Sequence, residues 1–157
     1  MIAAGFQDVP IIALTMNRKL HEQPGNDLNY LKYAPKAVLA CVYADAISSM
    51  YYATAIREMN KGAALALADE LLEPLDRGVL PLERRSVLAR LQDAVGRFND
   101  IPTLDRPYPK VGIVGEIYVK YNSFSNNNVA QWLMEQGVEV VVPDFLTFFL
   151  AWFVSTN

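Results

Sequence analysis

The sequence predicts an α/β protein in which parallel strands are joined by a helical middle section, and three observations carry that prediction. Residues 110–142 read as strand, helix and strand: the β-branched run Val111–Val114, the amphipathic stretch Asn126–Gln136, and a second β-branched run, Val138–Val142. That order within thirty-odd residues is the pattern of a parallel β-α-β unit, whose crossover is almost always right-handed. Upstream, the residues between about 35 and 98 show helical periodicity in successive segments. Nearer the N-terminus, the apolar run Val9–Thr15 reads as a buried strand, with Pro10 at the first strand positions where proline is tolerated.

Taken in order, the polar stretch Met16–Tyr30 carries the turn chemistry of Pro24-Gly25-Asn26-Asp27. Pro35–Arg57 reads as one long helix, rich in small residues that allow close packing. Gly62–Asp76 is a second, with Ala64, Leu67, Ala68, Leu71, Leu72 and Leu75 on one side; Pro74 is expected to bend or end it early and Gly78 to terminate it. Pro81–Phe98 is a third, with Pro81 in its first turn and Leu88, Leu91, Val95 and Phe98 at helical spacing. The three prolines of Asp100–Pro109 mark a linker. The expected organisation is therefore a first subdomain over 1–100, a linker over 101–109 and the start of a second subdomain over 110–157. In the second, Val129, Trp132 and Leu133 share a helix side and Gly137 stops the helix.

Composition bounds the function. Just over half of the 157 residues are apolar, which is a globular composition, and the net charge of −3 gives no footprint for nucleic acid or an anionic membrane. Ala37–Ile56 is apolar, but its Asp45 would sit mid-span, so a core helix is expected rather than a membrane helix. Phe145–Val154 is too short to span a bilayer. Cys41 is the one cysteine, so no internal disulfide or cysteine-based metal site is available; within an apolar run it reads as an inert buried thiol. No basic segment precedes an apolar run at the N-terminus, and a cytoplasmic location is expected. Two parallel strands cannot bury themselves. Either Val9–Thr15 joins their sheet or the chain is a piece of a longer protein, the expectation adopted here. The terminal aromatics then cover an incomplete core or form a homodimer surface.

The candidate chemistry lies in two loops. Gly112 and Gly115 are three apart and far from the next helix, so the dinucleotide fingerprint is missing, and no phosphate-binding P-loop sequence occurs. The loop Glu116–Phe124 follows a predicted parallel strand, where ligands of open sheets bind. Glu116 offers an acid/base group, Lys120 a cation, and Tyr118 and Asn122 hydrogen-bonding groups; alternatively Glu116 and Lys120 pair with neighbours and the tyrosines pack. Ser125 and Asn126–Asn128 would cap the next helix and leave backbone N–H groups for an anion. The second loop holds His21, Glu22 and Asn26, an acid/base pair or an incomplete metal site, or simply surface polarity. Asp45 is either a functional buried carboxylate or a structural cap. No catalytic set and no metal site is complete.

Ile11–Leu14, Leu20–Asp27 and above all Val111-Gly112-Ile113-Val114-Gly115-Glu116-Ile117-Tyr118-Val119-Lys120-Tyr121-Asn122 resemble the activase-related proteins of the 2-hydroxyacyl-CoA dehydratase family. The resemblance runs from about residue 5 to 145. It implies Rossmann-like three-layer segments within a longer parent that uses ATP and an iron–sulfur cluster. It also implies that this chain, lacking the nucleotide-binding segments and a recognisable cluster-ligand motif, is a non-catalytic fragment without cofactor of its own. Such a fragment would shape a cleft for a cluster or CoA-type ligand together with the remaining domains.

Overall fold

A computed structural model describes residues 30–148. The chain divides into two units, Met1–Ala34 and Pro35–Asn157, and the account below concerns the second. The predicted strand Val9–Thr15, the loop residues His21, Glu22 and Asn26, and the tail beyond residue 148 lie outside the described residues.

The first helix, α1, spans Tyr30–Ala55 and contains Pro35 instead of starting there. It stops two residues before the predicted end because the N–H groups of Arg57 and Glu58 both turn back onto the Thr54 carbonyl. One side of α1 carries Tyr43 and Ile47, both fully buried, with Leu39, Met50 and Tyr51 packed beside them. Helix α2, Ala63–Asp76, lays Ala64, Leu67, Ala68 and Leu71 against that side, as its periodicity predicted. The Tyr43 hydroxyl, inside this core, donates to the Leu71 carbonyl at 2.9 Å, so its burial leaves no unpaired polar group.

Pro74 does not end α2 early. It sits in the last turn, where it gives up one bond, to the Glu70 carbonyl, but no further turns have to continue past it, and the helix closes at Gly78 (φ +66°), whose N–H reaches the Leu75 carbonyl while that of Val79 reaches Pro74. The N-terminus of α2 is capped from outside. Gly62 at the N-cap has no side chain to offer, and the buried Glu58 carboxylate accepts from Gly62 N–H at 2.6 Å and Ala64 N–H at 2.7 Å.

Helix α3 spans Arg84–Asn99, so Pro81 precedes it and does not occupy its first turn. Its buried stripe is Val87, Ala94 and Phe98, with Leu91 beside them, while Leu88 and Val95 stand half exposed. Both stripes satisfy helical spacing. Packing selected the one containing Ala94, which is small enough for the neighbouring helices to approach.

Residues 101–109, predicted as a linker, run against the turn between α1 and α2. Met59 N–H donates to Pro102, Leu104 N–H donates to Arg57, and Glu58 and Thr103 form an antiparallel bridge. The chain then enters β1 (Lys110–Gly112), which pairs in parallel with β2 (Glu139–Val141) in the register Lys110 to Glu139, Val111 to Val140 and Gly112 to Val141. The predicted β-α-β unit is present, with both strands shorter than their β-branched runs. Its connection differs from expectation. The stretch Glu116–Phe124, read as a loop, contains the short helix α4 (Ile117–Tyr121). The next helix, α5, spans only Val129–Glu135, because Asn127 and Asn128 both adopt φ +54°, a conformation no right-handed helix contains. Val129 and Leu133 are half-buried as predicted, whereas Trp132 is largely exposed. Gly137 (φ +80°) stops α5, its N–H on Met134 and that of Val138 on Leu133.

The described architecture is mixed helix and strand with a two-stranded parallel sheet. Every residue of β1 is exposed, while β2 buries Glu139 and Val140. None of the described helices is long and apolar enough to cross a membrane.

Candidate ligand cleft

Asp45, Ser48, Ser49 and Tyr52 stand at i, i+3, i+4 and i+7 in α1. At 100° per residue they share one side of the helix, opposite the Tyr43–Ile47 side. They line a cleft of about 180 Å³. Facing them are Lys120, Tyr121 and Asn126 from the connection after β1, and Val142, Pro143 and Asp144 from the stretch after β2. The cleft therefore lies beyond the carboxyl ends of both parallel strands, the position where open sheets bind ligands.

Asp45 is structural in its contacts. Its carboxylate accepts the N–H of Phe145 at 3.0 Å and of Leu146 at 3.1 Å, capping the helical turn at residues 145–148 from another helix. Tyr121 closes the other flank. Its hydroxyl donates to the Pro143 carbonyl, and its ring meets Phe145 edge-on at 5.3 Å. Burial pushes the Tyr121 phenol up, and the carboxylates of Asp45 and Asp144 add to it, so the hydroxyl stays a donor. Tyr52 is likewise pushed up by burial. Lys120 lies over the Tyr121 ring, 4.6 Å from its centroid.

Of the residues singled out from sequence, the structure brings Asp45, Lys120 and Asn126 to this cleft; Glu116, Tyr118 and Asn122 are not among its lining residues. Glu116 is the N-cap of α4 and accepts from Val119 N–H at 3.0 Å. Hydrogen bonds from the backbone of Val119, Tyr118 and Ile117 hold its carboxyl below the usual range, so at neutral pH it is an ionised cap and a poor proton donor. Tyr118 is 62% exposed. Asn122 builds the following turn through Ser125 N–H. Asn126 spends its amide on the carbonyls of Val119 and Lys120 and its oxygen on Val129 N–H.

At residues 125–128, where backbone N–H groups are expected to be left for an anion, the loop itself uses most of them. Those of Ser125 and Asn126 go to Asn122, that of Asn128 to Ser123 and that of Val129 to Asn126. Sequence reasoning missed Ser48, Ser49, Tyr52 and Asp144. A signal for the first three existed: a polar stripe at helical spacing with Asp45, inside a helix read only for its apolar content.

With one cysteine, the chain does not by itself supply the four-cysteine ligand set of an iron–sulfur cluster. Cys41 is the one cysteine of the sequence and is half-buried in α1. Burial raises its thiol pKa and the neighbouring Asp45 raises it further, which keeps it protonated and unreactive. Among the described residues no three His, Cys, Asp or Glu side chains gather as a metal-binding group. No family model, curated protein or solved structure matches the chain.

Proposed function

We propose that the chain is a non-catalytic segment of a larger cytoplasmic α/β protein, and that its task is to shape a ligand cleft beyond β1 and β2. The observation that carries this reading is the convergence of three separate segments, α1, the β1 connection and the stretch after β2, on one polar cleft at the carboxyl ends of parallel strands. In this reading the β-α-β unit begins a Rossmann-like, three-layer subdomain completed by the remaining domains of the parent, and the aromatic C-terminus supplies a contact to them or to a second copy. The stretch Val111–Asn122 resembles the 2-hydroxyacyl-CoA dehydratase family and makes a CoA-type ligand the first to test. A cleft of about 180 Å³ receives the end of such a ligand and not the whole of it.

Thermal unfolding of the full chain, with and without CoA, acetyl-CoA, ATP and short carboxylic and amino acids, tests the reading. A rise in Tm is expected with at least one, and Ser49→Phe, which fills the cleft from the exposed side of α1, should abolish it. No rise with any of them would leave only a scaffold. Iron and acid-labile sulfide in the purified chain would overturn the assignment of the cluster to other segments.

A further inference from the structure

We propose that the cleft selects a small zwitterion, of α-amino-acid charge and size, with the ligand's carboxylate on Lys120 and its ammonium on Asp144. The proposal rests on the ligand-cleft reading and adds the chemical class of the ligand.

The groups already used by the protein define what is left. Asp45 is committed to two backbone N–H groups, Tyr121 to Pro143, and Asn126 to both ends of its turn. Lys120 and Asp144 both line the cleft, yet among the described residues neither makes an ion pair, with the other or with a third group. A cation and a carboxylate thus share one small space without meeting. Ser48, Ser49 and Tyr52 also line it, and their hydroxyls spend no hydrogen bond on another described residue.

Charge then restricts the ligand. A plain carboxylate would satisfy Lys120 but meet Asp144, and the charge that Asp45 keeps while accepting its two N–H groups, as like charges; a plain amine would satisfy Asp144 but meet Lys120 as a like charge. A molecule carrying both signs satisfies both and displaces only water. Size restricts it further. A cavity of about 150 Å³ accommodates benzene, so the space here suits roughly six to eight non-hydrogen atoms. That is the scale of alanine or serine, with glycine one atom smaller. The spare hydroxyls on α1 can take the remaining carboxylate lone pairs.

Calorimetric titration of the full chain with L-alanine, propionate and ethylamine separates the possibilities, since propionate is alanine without its ammonium and ethylamine is alanine without its carboxylate. Saturable binding of L-alanine is expected, with propionate and ethylamine weaker by about ten-fold or more, as for loss of one charge-assisted contact. Lys120→Met and Asp144→Asn should each weaken L-alanine by about ten-fold with unchanged Tm, and Lys120→Arg should retain it. Propionate or ethylamine binding as tightly as L-alanine would overturn the zwitterion while leaving the cleft reading intact. Failure of L-alanine, glycine and L-serine alike would overturn the inference, and the CoA titration above then decides the cleft reading separately.

Discussion

The helical region and the β-α-β layer are held together by different physics. Between α1, α2 and α3 the contacts are mainly apolar: Tyr43 and Ile47 share one cluster with Leu67, Leu71, Val87 and Phe98, the Tyr43 hydroxyl donating to the Leu71 carbonyl within it and an exposed Arg97–Glu70 pair outside it. The β-α-β layer is tied to α1 largely by polar side chains. The buried Glu139 of β2 receives both Arg57, just past α1, and Lys110 of β1. Arg57 also faces the Tyr108 ring at 5.5 Å and donates to Ala53 at 2.7 Å. Asp45 holds the turn after β2. Apolar burial is non-directional and indifferent to pH, whereas these ties depend on ionisation and geometry. The comparison teaches that the two regions share a chain but should respond differently to acid.

The largest effect should come from the apolar side. Ile47→Ala, at a fully buried position, is expected to cost about 2–4 kcal/mol in urea unfolding; a cost below about 1 kcal/mol would show that α1 is not the spine of the core. Glu58→Ala should follow, at about 2 kcal/mol, because two N–H groups at the start of α2 lose a charged acceptor; amide exchange of Gly62 and Ala64 should accelerate selectively.

Arg57→Met comes next, at about 1–2 kcal/mol, since the pair is only partly shielded from solvent. This site also carries the pH dependence. Burial pushes the Glu139 carboxyl up, but the hydrogen bonds and charges of Arg57 and Lys110 outweigh it, and its folded pKa lies below that of an unfolded glutamate, about 4.3. The unfolded state therefore binds the proton first. The contribution is fully present above the unfolded value and is lost as pH falls through the folded one. Acid titration followed at Val140 and Val141 should show the β layer loosening before the Tyr43–Ile47 core, and Glu139→Gln should remove that difference. Simultaneous loss of both regions in the wild-type chain would break the distinction.

The smallest effect is expected at the exposed apolar side chains of the connection after β1. Val114 is 82% and Phe124 89% exposed, so Val114→Thr or Phe124→Ser should change stability by less than about 0.5 kcal/mol. A larger loss, appearing only at high protein concentration, would show that these side chains are covered by a second copy.

Local signals accounted for much of the backbone. The Gly78 and Gly137 stops were legible because a left-handed residue after a helix has few alternatives to glycine. The α2 stripe was legible because its leucines and alanines leave one consistent face. The α3 stripe was not, since Val87–Ala94 and Leu88–Val95 fit the same period and only the neighbouring helices distinguish them. The helix inside Glu116–Phe124 was missed because its cap is a glutamate, an unusual N-cap residue, and its five residues show no period.

By itself, then, the sequence determined that strands at about 110 and 140 would pair in parallel around a helix, and that a polar group of residues would follow the first. Those are properties of near neighbours in the chain: β-branched runs, glycine stops, a crossover too long for a hairpin. The tertiary structure decided which polar groups are free. Glu116, Asn122 and Asn126 were spent on caps and turns, while Lys120, over the Tyr121 ring, was left without an ion pair among the described residues, in a cleft it lines with Ser48, Ser49 and Asp144. Whether a donor or acceptor is available depends on what folds against it. For Asp45, the group that folds against it lies a hundred residues away.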